Sequence, residues 1–134
     1  MASLFTRIIC REVPASIIHE DEQCIVILDI APVNKGHALV ISRQEYETMD
    51  ECPAKIMNHL MEISRRVVSS MERVLGIDGY NLLINNRRAS GQEIPHLHIH
   101  IIPRYDGDGK TPLFKKEQYQ DGEADELAAR PRLT

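Results

Sequence analysis

No excess of basic charge, no paired-cysteine motif and no long apolar run occur in this sequence, and each absence removes a class of function. Sixteen Lys and Arg against twenty Asp and Glu leave a formal net charge of −4, which argues against nucleic acid or an anionic membrane as the main partner. Cys10, Cys24 and Cys52 are widely spaced, with no C-x-x-C pair. Neither a disulfide framework nor a zinc knuckle is indicated, and a cytoplasmic location is expected. No apolar stretch approaches the roughly 20 residues that cross a bilayer, and no N-terminal stretch reads as a secretion signal. Internal repeats and low-complexity blocks are also lacking.

At 134 residues the chain is one domain's worth, long enough to bury a core without disulfide or metal staples. Leu4, Phe5, Ile8 and Ile9 recur at helical spacing before Pro14 and predict a short amphipathic helix. "ASIIHEDEQCIVILDI", residues 15–30, holds two β-branched runs around the acidic turn Glu20 to Gln23 and predicts an antiparallel hairpin. "GHALVIS", residues 36–42, adds a third strand. From Pro53 to Leu75 the stripe Ile56, Leu60, Ile63, Val67, Met71 and Val74 advances by three or four, with Gly76 as its C-cap, so one long helix is expected. His59 lies beside that stripe and reads as a surface or packing residue. "GYNLLIN", residues 79–85, and "IPHLHIHIIP", residues 94–103, supply two more strands.

Consecutive strands without intervening helices imply mainly antiparallel pairing. The expected fold is therefore α+β: an antiparallel sheet of about five strands, one long helix and a short N-terminal helix. The domain is expected over residues 1–104. Residues 105–134 read as a turn-rich, exposed tail with at most a short helix around Asp125 to Arg130.

Half of the chain's six histidines fall in one stretch, His96, His98 and His100, alternating with Leu97, Ile99 and Ile101. A period of two fits a strand whose three imidazoles share one face, neighbours roughly 6.8 Å apart along it. Ordinary packing would demand partners for all three rings, and few carboxylates lie nearby in the chain. A metal reading is possible for imidazoles on one face, but no other ligand spacing accompanies them. The third reading is chemistry on a phosphate ester. An imidazole nitrogen attacks phosphorus once its other nitrogen is held as a donor, and flanking imidazoles then donate to the phosphoryl oxygens. This makes His98 the candidate nucleophile. The loop Ser90, Gly91 and Gln92 entering the strand permits close backbone approach by an anion; Arg87 and Arg88 read as solvated loop residues.

The spacing from His96 to Ile102 is the signature of the histidine triad family, which the chain resembles from about Leu4 to Arg104, including the Asp29-Ile30 pair and Gly36-His37. The resemblance implies a homodimer that acts on a purine nucleotide substrate at the α-phosphorus of a nucleoside phosphoramidate or a dinucleoside polyphosphate, without a cofactor. It implies that His98 attacks phosphorus to form a nucleotidyl-histidine, that His100 contacts phosphate oxygens, that His96 supports the nucleophile, and that His37 is the additional histidine near the triad. It assigns Asp29 to the ribose hydroxyls, Asn85 to the phosphate side, Gln92 to the leaving-group side, and Phe5, Ile8, Ile27 and Ile30 to an apolar base pocket. Two positions depart from the family pattern. Ser3 and Thr6 stand where some prokaryotic relatives carry a zinc-binding cysteine pair, so no metal is expected. Glu93 stands where phosphoramidase members often carry a small hydroxyl residue, and a carboxylate there is expected to point outward or to disfavour highly charged substrates. The ending "HIIPRYDGDG" is nearer to the prokaryotic and dinucleoside-polyphosphate branches. The alternatives are a diadenosine polyphosphate hydrolase and a nucleotide-binding interaction protein.

Overall fold

The computed structural model describes residues 1–110 and 114–130; the parts of the expected tail at 111–113 and 131–134 lie outside the described residues. The order is α1 (Leu4–Ile9), β1 (Ile17–Glu20), β2 (Cys24–Leu28), β3 (Ala38–Ser42), α2 (Ala54–Leu75), β4 (Gly79–Leu83), a 3-10 turn (Arg88–Ser90), β5 (His98–Arg104) and α3 (Glu123–Ala128). The strands form one antiparallel sheet in the order β1-β2-β3-β5-β4. The expected α+β architecture is the observed one. Among the described residues no helix is long and apolar enough to cross a membrane.

Period-two patterning divides the sheet between two cores. On one face Cys24, Val26, Ala38, Val40, Leu97, Ile99 and Ile101 meet Leu60, Ile63, Val67, Val68 and Met71 of α2. On the other, Ile25, Ile27, Leu39 and Ile41 meet Phe5 and Ile8 of α1. Each such side chain, fully buried, contributes roughly 1.5–3 kcal/mol. Val74, counted in the helical stripe, is instead exposed, and Val68 is buried, because a 3.6-residue period does not hold one line of residues against a sheet for six turns.

Local signals set the element ends. Ser3 caps α1, its Oγ accepting from the Thr6 amide at 3.0 Å. Gly76 closes α2 in the left-handed region, at φ 64°. The histidine strand begins at His98, two residues later than its pattern suggests. Pro95 has no amide to give, the His96 amide turns back to Ile94 O at 2.8 Å, and the Leu97 amide donates to Tyr46 O at 2.7 Å. His96 therefore sits in a bend ahead of the ladder.

Candidate active site

In β5, Ile99 and Ile101 point at α2, so His98 and His100 point at α1. Their ring centroids lie 4.9 Å apart. Across the sheet, Ile41 pairs with His98 and Leu39 with His100, which floors the histidines with branched side chains. Phe5 of α1 stands edge-on to His98, with centroids 4.8 Å apart, and to His96 at 5.7 Å. A cavity of about 540 Å³ opens beside them, its wall including Phe5, Ile8, Ile27, Asp29, Ile30, Asn85, His98 and His100.

Hydrogen bonds fix which nitrogen of each ring carries the proton. His98 Nδ1 lies 2.6 Å from His96 O. A carbonyl only accepts, so Nδ1 holds the proton and Nε2 keeps its lone pair. The Val33 amide donates to His37 Nδ1 at 3.1 Å, which leaves the His37 proton on Nε2, directed at His100 Nδ1 at 3.0 Å. His100 then carries its own proton on Nε2 as a donor. The first ring of this face thus presents a lone pair and the second a proton, although their side chains are chemically identical.

Burial lowers the proton affinity of His37, His96 and His98. His100 is pulled down to about 4, by burial first and then by repulsion from His98 and His37. Asp29, 3.7 Å from His37 Nε2, opposes this at His37, His98 and His100. These shifts favour the neutral imidazoles. The Gly36-His37 pair has a local cause: Gly36 sits at φ +99°, and a Cβ there would lie 2.6 Å from Leu75 Cδ1.

His96 is fully buried and its carbonyl holds the His98 ring from behind. Its Nε2 donates to Ser42 O at 2.6 Å, so its Nδ1 accepts from the Ser3 hydroxyl at 2.6 Å. The Ser3 amide and the Thr6 hydroxyl both donate to Glu45 Oε1, and these bonds, the Ser3 amide foremost, hold the Glu45 acid down to about 2. Hydroxyls and a carboxylate thus anchor α1 to the triad. Ser3→Ala should orphan a buried acceptor and remove a cap. We expect kcat about tenfold lower with KM little changed and stability about 1 kcal/mol lower. Ser3→Thr should restore both, as steady-state kinetics and thermal melting would register.

Gln92 requires a correction. It is buried, with Oε1 accepting from the Arg87 amide at 2.7 Å and Nε2 donating to Glu47 O at 2.7 Å. Both ends of its amide shape the loop and neither faces the cavity. Its neighbour Glu93 does line the cavity, as do Gly91 and Ile94. Ser90 Oγ binds back to Asn86 O and Arg87 O. Ile30 stands at the rim, 96% exposed. Leu39 and Ile94 were not singled out in the sequence; the period-two pattern of β3 was the available signal for Leu39.

A HIT domain family model matches residues 10–107. A relative named as an adenylylsulfatase of Arabidopsis thaliana is 38% identical over 94% of this chain and 66% of its own length. One named as an adenosine 5'-monophosphoramidase of Saccharomyces cerevisiae is 33% identical over 78% of this chain and 64% of its own. A crystal structure of a HIT family protein from Bacillus anthracis superposes with a TM-score of 0.85 at 29% identity, covering 94% of this chain and 92% of that one.

Proposed function

The chain belongs to the HIT domain family, and from that premise we propose that it hydrolyses purine nucleoside phosphoramidates or related nucleotide conjugates at the α-phosphorus. The observation that carries this reading is the pair of opposed tautomers: a lone pair on His98 Nε2 beside a proton on His100 Nε2, both on the wall of one cavity. The first step forms a bond from His98 Nε2 to phosphorus as the bond to the leaving group breaks, its electron pair departing with that group. His98 gains positive charge, which its Nδ1–H passes toward His96 O. His100 donates to a phosphoryl oxygen as charge builds there. The departing group takes up a proton from solvent; water then attacks the same phosphorus and gives a proton back to solvent, the N–P bond breaks with its pair returning to Nε2, and the mononucleotide leaves.

Asp29 would take the ribose hydroxyls and Asn85 the phosphate side. Phe5, Ile8, Ile27 and Ile30 would hold the base, which gives the bare Ile30 side chain an apolar partner. The named activities of the Arabidopsis and Saccharomyces relatives both place the leaving group on an adenylyl phosphorus, which supports a single conjugated phosphate. Glu93 at the cavity wall supports the same choice, because a carboxylate there repels the additional charges of a polyphosphate bridge.

The assembly would be a homodimer, with β4 at the free sheet edge as its seam. To test the activity, purified protein would be assayed on an adenosine phosphoramidate, adenylyl sulfate and a diadenosine polyphosphate. Faster turnover of the first two is expected; faster turnover of the third would move the assignment to the polyphosphate branch, and turnover of none would leave a binding protein.

A further inference from the structure

A second cluster lies on the opposite side of the sheet from the triad. His19 of β1 has its Nε2 at 2.7 Å from Asp21 Oδ2, and His59 of α2 has its Nε2 at 2.8 Å from the same oxygen. Cys24 Sγ, at the start of β2, lies 3.4 Å from it. The donor atoms of His19, Asp21 and Cys24 all lie within 4.8 Å of one another. The β1–β2 hairpin thus gathers a nitrogen, an oxygen and a sulfur at one point, and α2 brings a second imidazole, His59, against the shared oxygen.

The carboxylate is oriented for this. Its Oδ1 accepts the Gln23 and Cys24 amides at 2.8 and 2.9 Å, which fixes its plane and turns Oδ2 toward the three side chains. Ligating carboxylates are commonly held in this way, one oxygen by the backbone and the other free for the ion. The two imidazoles are each about one-third exposed, 36% for His19 and 31% for His59, whereas Cys24 is fully buried beneath them. An ion has a path in from solvent and a thiol at the bottom of that path.

We propose that His19, Asp21, Cys24 and His59 form a binding site for a borderline transition-metal dication, with Zn²⁺ suited to the donor set. Zinc bonds of about 2.1 Å to nitrogen and oxygen, arranged tetrahedrally, separate those ligand atoms by about 3.4 Å. The present nitrogen–oxygen separations are shorter, so loading requires the two imidazoles, each about one-third exposed, to swing outward from Asp21, and His59 to turn toward the other donors. Two neutral imidazoles, one carboxylate and one thiolate balance a dication. On loading, the Cys24 S–H bond breaks, its proton passes to solvent, its electron pair goes to the metal, and nothing is oxidised or reduced. The isolated thiol resists ionisation, pushed up to about 12 by burial and then by the Asp21 charge, so binding strengthens as pH rises. The occupied site ties the β1–β2 turn to α2. It does not rest on the nucleotide reading, since the sheet separates it from the triad.

Chelator-treated protein titrated with Co²⁺ tests this directly. Wild type should develop visible d–d bands of tetrahedral cobalt and a near-ultraviolet thiolate-to-cobalt charge-transfer band, both erased by Zn²⁺. Cys24→Ala should lose the charge-transfer band, and His59→Gln should bind at least about tenfold more weakly, with circular dichroism confirming that each variant is folded. Cobalt at Asp29, His37 and His100 gives no thiolate band, because no sulfur is in that group. Absence of the band in wild type overturns the proposal and leaves a hydrogen-bonded clamp. A full-strength band in Cys24→Ala, or unchanged affinity in His59→Gln, overturns it equally. Should Cys24→Ala fail to fold, His19→Gln replaces it, with the same tenfold weakening expected and unchanged affinity overturning the site.

Discussion

His98→Ala should lower turnover of an adenylyl conjugate by on the order of 10⁴-fold or more while leaving the fold in place. The fold should survive because the packing of β5 against α2 comes from Ile99 and Ile101, on the other face from His98. Activity should not survive, because no other cavity-lining nitrogen here is held as an acceptor: His100 presents a proton, and His37 and His96 are bonded on both sides. Acid quench during turnover should trap a nucleotidyl adduct on wild type and none on the variant. Wild-type-like turnover by the variant would end the covalent mechanism.

The pH dependence has a definite sign. Both rings on the cavity wall are shifted below the ordinary histidine value near 6.5, His100 to about 4. The rate should therefore hold through pH 6.5 and fall only on the more acidic side. Stability follows the same direction. Between the unfolded value of about 6.5 and the depressed folded values, the unfolded chain binds protons that the folded chain does not, so stability present above 6.5 is lost as pH falls through this window.

If the proposed homodimer forms through β4, Leu82→Lys should leave the protein monomeric at micromolar concentration, weakening association on the order of 10³-fold. β4 is an edge of the sheet, and it exposes Tyr80, Leu82 and Leu83. Tyr80 and Leu82 share a groove with Arg65, Val68 and Ser69 of α2. An edge strand with unpaired amides and apolar side chains is a template for pairing with a second copy. Burying a leucine there contributes roughly 1.5–3 kcal/mol, and a lysine in the same seam carries a further desolvation cost. Sedimentation velocity would decide: a monomeric wild type, or a variant still dimeric, would remove this seam.

The elements were legible because their signals are local. The alternation from His96 to Ile101 assigned Ile99 and Ile101 to one face and His98 and His100 to the other, and the three-and-four spacing from Ile56 to Met71 specified the long helix. The C-cap Gly76 bounded the long helix for a reason contained in a few residues. The same reasoning placed His96 inside the strand, where the bend after Pro95 puts it outside; the family resemblance put Gln92 on the leaving-group side, where two backbone partners hold it away from the cavity.

What the sequence by itself determined is which residues share a face and that three imidazoles could meet a phosphate. Only the tertiary structure decided which nitrogen of His96 and of His100 holds its proton, because the deciding partners, Ser42 O and the Ser3 hydroxyl for one and the His37 ring for the other, lie 54, 93 and 63 residues away along the chain. It also turned His59 from a residue beside a helical stripe into a neighbour of His19, Asp21 and Cys24. Spacing along a chain fixes direction within one element; chemistry at a site depends on what another element places opposite.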